Sequence, residues 1–289
     1  METERSGELS FTERLGRPSV VGVASVATLV VLSAIAYSTG LWKVLVISWV
    51  AFAAMAGFAP FGARAAGTND ARRLVWGYGL AAGAMITSAA VFLLPQAIGL
   101  DPRVGGFGVA AGLLVGYGSH TLGHRLAHLE TPFDKTTVEI SAHALSAGLI
   151  IGLVYAAMPQ LGLLLGLAIV SHKGPAGYAA ARRLAGRGKS PAVLLLPAAG
   201  VGLTAIPMAL FTPPSAPTVN AAIFGFAAGV FLHVAMDFLP RCEQGSEVGE
   251  VAALSDDAHA LLDRLRTHAV ASTALGAVAV FGAWLLVGP

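Results

Sequence analysis

Charged residues and cysteines are both scarce in this chain. Only 12% of its 289 residues are Asp, Glu, Lys or Arg, whereas soluble domains carry roughly 25%. The single cysteine, Cys242, excludes a disulfide framework, and a net charge of +2 gives no reason to expect a nucleic-acid partner. Because 55% of the residues are hydrophobic, too few polar residues remain to cover an apolar core in water. The composition therefore predicts a polytopic membrane protein in contact with lipid.

Long segments without Asp, Glu, Lys or Arg predict the membrane spans. A helix needs about 20 mainly apolar residues to cross the hydrocarbon layer. Two of the longest segments are divided at "AAMPQ" (156–160) and "FTPPSAP" (211–217), because proline ends helices. Ser190 followed by Pro191 is a typical helix start. The prediction is an all-α chain of nine spans near 18–37, 42–63, 74–99, 104–122, 138–157, 161–181, 191–211, 218–239 and 267–287.

Lysine and arginine are distributed unequally between the two sides of the predicted bundle. Fifteen of the eighteen fall on alternate connections, and the opposite connections hold only Arg103, with Lys43 at a helix edge. The positive-inside rule then predicts a cytoplasmic N-terminal tail (1–17), an outside C-terminus and a multi-pass protein of the cell membrane. The polar connection 241–266 is interpreted equally well as a short amphipathic helix on the cytoplasmic surface or as a solvated linker.

Short sequence similarities recur within the chain. "HALSAG" (143–148) and "HKGPAG" (172–177) share H-x-x-x-A-G on two consecutive predicted helices. "AAGAMITSAAVFLLP" (81–95) and "AAGVFLHVAMDFLP" (227–240) share an A-A-G start and a hydrophobic L-P end. Such similarities are typical of a transporter built from repeated helix units, with its site at the repeat interface.

Polar side chains at membrane depth are costly, so each is a candidate functional residue. Residues four apart share a helix face, which pairs Glu139 with His143 and His233 with Asp237. Pro175 cannot donate to the Ser171 carbonyl, which predicts a kinked helix beside His172. Imidazole, carboxylate and a freed carbonyl are ligands suited to zinc and its first-row neighbours. The candidates are Gln96, Glu139, His143, His172, Lys173, His233 and Asp237.

Structural explanations compete with a metal site at several of these positions. His233 alone is equally well an interhelical hydrogen-bonding residue, and Asp237 could serve only to neutralise Lys173. Glu139 lies near a helix start, where an acid complements the helix dipole. Gln96 follows a proline near a helix end and favours a structural interpretation. His143 and His172, in matching contexts on adjacent helices, favour a site.

At these residues the chain resembles the ZIP (Zrt/Irt-like) divalent metal transporters. The similar family members carry H-N-x-P-E-G on two central helices, where this chain has "HALSAG" and "HKGPAG". The resemblance extends to 79–97, 186–207 and 224–240, in the family's order along the chain. It implies a ZIP-like eight-helix transporter domain over 42–289 and leaves 18–37 as an extra N-terminal helix.

The chain also departs from the family pattern. Both motif glutamates are replaced, by Ala147 and Ala176, and the motif asparagines by Ala144 and Lys173. The resemblance therefore implies only His143 and His172 as metal ligands by position. It further implies that Lys173 substitutes for a second metal, with its charge balanced by Asp237. Glu139, Asp237, His233, the Ser171 carbonyl and water are the candidates to complete a shell of four ligands.

A second histidine cluster lies in "SHTLGHRLAHLE" (119–130). His120, His124 and His128 recur every four residues, on one helical face at the predicted cytoplasmic side. The family's corresponding loop is often histidine-rich, which implies a metal acceptor near the exit; a solvated helix face is the alternative. The H-x-x-x-H spacing also resembles membrane di-iron hydroxylases, but the chain has no second box of that kind.

Three functions are compatible with the sequence. The first is a transporter that moves a divalent cation into the cytoplasm through a site between 138–157 and 161–181, with Zn²⁺ preferred over Mn²⁺, Fe²⁺ or Co²⁺ as cargo. The second is a non-transporting ZIP-like protein, a metal sensor or an assembly factor, which the loss of both motif glutamates favours. A membrane enzyme is the least favoured, because the chain has no G-x-S-x-G elbow or evident triad. A homodimer remains open.

Overall fold

The structure is a computed structural model that describes residues 19–68, 70–126, 135–211, 213, 214, 216–253 and 257–287. All regular secondary structure in these residues is helical. A π-helical segment, Ala89–Leu93, joins α3 to α4, and a 3₁₀ turn, Pro191–Leu194, precedes α9. The helices are α1 (Val20–Ser38), α2 (Trp42–Arg64), α3 (Ala71–Ser88), α4 (Leu94–Leu100), α5 (Pro102–Leu126), α6 (Lys135–Ala157), α7 (Leu163–Val170), α8 (Lys173–Gly186), α9 (Leu195–Ala209), α10 (Pro217–Asp237), α11 (Glu247–Ala252) and α12 (Ala258–Val287).

Seven helical stretches are long and apolar enough to cross a membrane, which is the architecture of a multi-pass membrane protein. They correspond to seven of the nine predicted spans. The predicted span 104–122 is a continuous helix, α5, whose many glycines lower its hydropathy. The predicted span 161–181 is divided into α7 and α8. The predicted tail 1–17 lies outside the described residues.

The predicted helix breaks are confirmed. Helix α6 ends at Ala157 before "AAMPQ" is complete, and α9 ends at Ala209 ahead of the paired prolines. Ser190 is the N-cap before Pro191, with its hydroxyl accepting from the Ala192 N–H at 3.2 Å. The last helix begins at Ala258, earlier than the predicted 267, so the helix extends beyond its most apolar part.

The long helices form two bundles whose pairing has a two-fold pattern. In the first bundle α2 packs on α8 and α6 packs on α9, with α1 added against α9. In the second, α3 packs on α12 and α5 on α10. The repeat matches α2 with α9, α3 with α10, α5 with α12, and α6 with α8. Under this matching the α2–α8 pair corresponds to the α9–α6 pair, and the α3–α12 pair corresponds to the α10–α5 pair. Inverted or parallel repeats of this kind are common in transporters.

The repeated sequence motifs occupy corresponding places in this pattern. A Cβ atom on Gly148 of "HALSAG" would overlap the Val201 carbonyl of α9, and one on Gly177 of "HKGPAG" would overlap the Met55 carbonyl of α2. The A-A-G pair behaves in the same way, with Gly83 against α12 and Gly229 against α5. The shared glycines therefore mark equivalent close approaches of neighbouring helices.

The described part of the connection after α10 includes a short packed helix, α11 (Glu247–Ala252). Helix α11 is capped by Ser246, whose hydroxyl accepts from the Gly249 N–H at 3.0 Å. Its residues Val248 and Val251 are buried in a cluster with Cys242 and with apolar side chains of α3 and α12. The interpretation of 241–266 as including a short amphipathic helix is confirmed.

Helix α5 offers a matched pair of glycines for testing the helix packing. A Cβ on Gly112 would overlap the Phe226 carbonyl of α10, whereas a Cβ on Gly106 meets nothing. We expect Gly112→Ala to lower the free energy of unfolding by about 1–3 kcal/mol through overpacking. Gly106→Ala should be neutral or stabilising by up to about 1 kcal/mol, because alanine favours helix. Reversible unfolding in mixed micelles measures both, and equal effects would contradict this packing.

The Cys242 thiol reports on the packing of α11. Its side chain is 7% exposed, and burial raises the pKa of this thiol, an effect that nearby Arg266 partly offsets. Alkylation requires the thiolate. We therefore expect iodoacetamide to label the folded protein slowly near neutral pH, with the rate rising only at higher pH than for an unfolded thiol. Labelling as fast in the native as in the denatured chain would contradict a packed α11.

Candidate functional site

The opposed histidines lie where the chain breaks between α7 and α8. Helix α7 ends at Val170 and α8 begins at Lys173, so the interruption between them precedes Pro175. Pro175 is the third residue of α8, where a missing N–H costs no intrahelical bond. The Ser171 hydroxyl donates to the Ala168 carbonyl at 2.7 Å within the break. The helix is therefore interrupted at Ser171 and His172, and His172 is the N-cap of α8. The predicted kink at Pro175 stays a prediction.

His172 meets His143 across the interface between α8 and α6. Their Nε2 atoms are 3.1 Å apart, and the rings are nearly perpendicular, with centroids 5.3 Å apart. His172 is 1% exposed, while His143 is half-buried and lines a cavity. The two repeated motifs thus bring their first residues into direct contact.

The hydrogen bonds of His172 define its tautomer. Its Nδ1 lies 2.6 Å from the Ile169 carbonyl oxygen, which can only accept, so Nδ1 carries the proton. The Nε2 of a neutral His172 ring then has a free lone pair, and the contact at 3.1 Å requires that His143 donate from its Nε2–H. A backbone carbonyl that fixes one ring nitrogen and leaves the other as acceptor is the usual arrangement behind a metal-binding histidine.

Aromatic side chains enclose the far side of His172. Phe238 packs on the His172 ring at 5.1 Å between centroids, and Tyr78 packs edge-on against Phe238 at 5.4 Å. Nothing in the sequence around Phe238 predicts this role, because the contact depends on how α10 sits against α8. His172 is thus enclosed by protein, with Phe238 and His143 both in contact with its ring.

A cavity of about 500 Å³ extends from His143 toward the ends of α5, α8 and α10. It gathers four of the five predicted ligands. The fifth, His172, does not line the cavity but contacts His143, which does. His233 Nε2 lies 3.4 Å from the Asp237 carboxylate, and the His233 ring packs over Gly116, where a Cβ would come within 2.6 Å of Cδ2. The predicted ligands that line the cavity are Glu139, His143, His233 and Asp237.

Two of the structural alternatives at these positions are not supported. Helix α6 begins at Lys135 and has no acidic residue in its first turn, so Glu139 is not a first-turn acid. The predicted pairing of Lys173 with Asp237 is wrong. Lys173 is 1% exposed, and its Nζ has no hydrogen-bond partner among the described residues. The Asp237 carboxylate instead lies beside His233.

The predicted ligands do not converge on one point in this conformation. Among the described residues no three His, Cys, Asp or Glu side chains are close enough together to hold a metal ion. The histidine pair and the cavity carboxylates are therefore neighbouring but separate groups. Gln96, half-buried on α4, does not line the cavity. Of the predicted acceptor cluster, His120 and His124 lie on α5 and His128 falls outside the described residues.

An ion-pair network that the sequence did not indicate connects α8 to α3 and α11. The Glu247 carboxylate accepts from the Tyr78 hydroxyl at 2.8 Å and pairs with Arg183 at 2.9 Å. Tyr78 and Arg183 both line the cavity. The network therefore links the cavity wall to α11. Sequence spacing gave no signal for it, since Glu247 lies in a connection far along the chain.

Comparison with known proteins adds no assignment. No protein-family model matches the chain, and a search of curated proteins finds no match.

Lys173 and Lys43 form a matched pair for measuring the cost of an unpartnered amine. Lys43 Nζ donates to the carbonyls of Pro159 and Leu161, both at 2.8 Å, whereas Lys173 Nζ has no such partner among the described residues. We expect Lys173→Met to raise the free energy of unfolding by about 1–3 kcal/mol, because a buried unsatisfied group is removed. Lys43→Met should lower it. Unfolding in mixed micelles tests both, and destabilisation by Lys173→Met would contradict the unpartnered amine.

Proposed function

We propose that this protein is a ZIP-like membrane transporter that moves a divalent metal cation into the cytoplasm. The observation that carries the proposal is the contact between His143 and His172 at 3.1 Å, made by two repeated motifs on neighbouring helices. Zn²⁺ is the preferred cargo, because two imidazoles are ligands typical of zinc; Mn²⁺, Fe²⁺ and Co²⁺ are the other candidates. No catalytic step is part of the proposal.

The geometry of the pair supports binding of such a cation. Two nitrogens at about 2.0–2.1 Å from a tetrahedral zinc ion are about 3.3–3.4 Å from one another, close to the 3.1 Å found between the Nε2 atoms. His172 Nε2 already offers a lone pair. The cation would replace the shared proton once the His143 proton shifts to Nδ1. Little backbone movement is then needed to admit it.

Water and the cavity groups complete the proposed coordination shell. Glu139, His233 and Asp237 line the same cavity as His143, so small side-chain movements would bring one of them toward the cation. A shell with few carboxylates binds loosely. Loose binding suits transport, which requires that the cargo leave as well as enter.

Lys173 is proposed as the substitute for a second cation. It follows His172 directly, it is buried, and no described group pairs with its Nζ. An amine at this place occupies volume and hydrogen-bonding directions that a second metal would need. One cation per cycle is the consequence.

The proposed topology places the cavity on the cytoplasmic side. Nine spans, with the N-terminus inside and the C-terminus outside, assign the cation-rich connections to the cytoplasm of a cell-membrane protein. The cavity lining reaches Arg183 near the end of α8 and Asp237 at the end of α10, both at that side. The conformation then corresponds to an inward-facing state.

A non-transporting metal sensor or assembly factor is the second candidate. Its support is specific: Ala147 and Ala176, both buried, replace the motif glutamates, and no three ligands converge among the described residues. Such a protein would bind a cation at the histidine pair without carrying it across the membrane.

Metal binding and uptake, measured on the same variants, test both candidates. Cobalt absorbance reports binding in micelles, and radioactive zinc uptake into proteoliposomes reports transport. We expect His143→Ala/His172→Ala to abolish both signals. His259→Ala, at a side chain that is 84% exposed and distant in sequence from the pair, should preserve them. Glu139→Gln and Asp237→Asn should each weaken uptake.

The outcomes separate the proposals. Cobalt binding by the native protein without uptake of any of the four metals would favour the non-transporting role. Folded native protein that neither binds nor transports a metal would overturn both. Unchanged uptake by the double histidine variant would mean that the transported cation binds at a different site.

A further inference from the structure

An apolar cleft of about 340 Å³ lies between α2, α3 and α8, and Tyr78 lines both this cleft and the histidine cavity. Its wall is almost entirely hydrocarbon. Phe58 and Phe61 are 51% and 59% exposed, so the protein covers both rings on its α2 side only in part. The main lining residues of this α2–α3 cleft are Phe58, Phe61, Leu74, Gly77 and Pro175, with Arg73 at one end.

A polar pocket adjoins the α2–α3 cleft at Arg73. It has a volume of about 700 Å³ and is lined by Thr68, Asp70, Arg72, Arg73 and Trp76. Because Arg73 lines both spaces, the apolar slot and a pocket with two guanidinium groups lie next to one another. A molecule that fills both must have an apolar tail joined to a polar head.

The charge of the polar pocket is positive. Its one carboxylate, Asp70, is 2.9 Å from the Arg182 guanidinium and also accepts from the Tyr178 hydroxyl. Arg72 and Arg73 are exposed, and no ion pair to either is found in the described parts of the chain. The head that matches this pocket is therefore an anion.

The position of the polar pocket along the helices also fits a molecule with an apolar tail and an anionic head. The pocket lies at the connection between α2 and α3, one of the cation-rich connections, and Arg64 at the end of α2 stacks over Phe61 at 5.8 Å. Trp76 stands one turn further into α3, as tryptophan does at headgroup level. Basic pockets between helices on the cytoplasmic side recognise anionic headgroups.

The geometry points to a binding site for an anionic phospholipid, with one acyl chain in the α2–α3 cleft and the phosphate held by Arg72 and Arg73. The acyl chain contacts the Phe58 and Phe61 rings by van der Waals packing, which is the attraction available between apolar groups in lipid. The site is independent of the proposed metal transport. It lies where α2 and α8 of one bundle meet α3 of the other, and Pro175 places it three residues from His172.

Lipid retention and thermal stability of the full chain in detergent test this site. The probes are phosphatidylglycerol, phosphatidylcholine with the same acyl chains, and inorganic phosphate alone. We expect native mass spectrometry to show one retained phosphatidylglycerol and thermal stabilisation by that lipid only. Arg72→Gln/Arg73→Gln should weaken this binding by about tenfold or more, whereas Arg103→Gln, at an exposed arginine of the opposite connection, should not.

A second pair of variants tests the acyl slot. A Cβ on Gly77 makes ordinary contact with Pro175 at 3.6 Å, so Gly77→Leu can fold while filling the cleft; Gly57 on α2 has nothing within 4 Å. We expect Gly77→Leu to lose the retained lipid and Gly57→Leu to keep it. Equal retention of both lipids, equal stabilisation by free phosphate, or binding unchanged in both the Gly77 and the arginine variants would overturn the assignment.

Discussion

Close approach of helix backbones at glycine is the constraint on which this structure depends. In lipid the hydrophobic effect does not drive helices to associate, so van der Waals packing between their surfaces must hold them together. Each of the four main helix pairs contains a glycine whose absent Cβ makes room for a carbonyl of the partner helix. They are Gly177 (α8 on α2), Gly148 (α6 on α9), Gly83 (α3 on α12) and Gly112 (α5 on α10). The same close approach of a glycine to a carbonyl thus recurs in helix pairs that the repeat relates, so the internal repeat and the helix packing have a common basis.

The same device positions the histidines. His143 and His172 each precede by five residues a glycine, Gly148 or Gly177, that packs its helix closely against a neighbour. The position of each imidazole is therefore fixed relative to such a contact. The helix break at Ser171 and His172 then allows the His172 Nδ1–H to reach the Ile169 carbonyl at 2.6 Å. Packing sets the ring positions and the backbone sets the tautomer. The 3.1 Å contact is the joint result.

Features that are local in sequence could be predicted, and features that depend on helix placement could not. Charge-free runs and prolines located the helices and their breaks, and the shared H-x-x-x-A-G identified the histidine pair. The glycines that lower the hydropathy of α5 also form its contact with α10, so hydropathy alone understates this helix. The Lys173–Asp237 pair failed, and Phe238 and Glu247 were missed, because each depends on the relative rotation of helices far apart in sequence. Chemical complementarity alone does not specify such rotations.

The distribution of charge along the cavity bears on the direction of the proposed cargo movement. At His143 the histidine pair offers neutral nitrogen ligands, with the buried amine of Lys173 next to His172 in the chain. Further out, the Glu139 and Asp237 carboxylates line the same space. The negative charge of the carboxylates attracts a divalent cation, whereas two neutral imidazoles next to an amine offer no such charge attraction. Electrostatics therefore favours movement of a bound cation from the pair toward Asp237 at the end of α10, which in the proposed orientation is the cytoplasmic side.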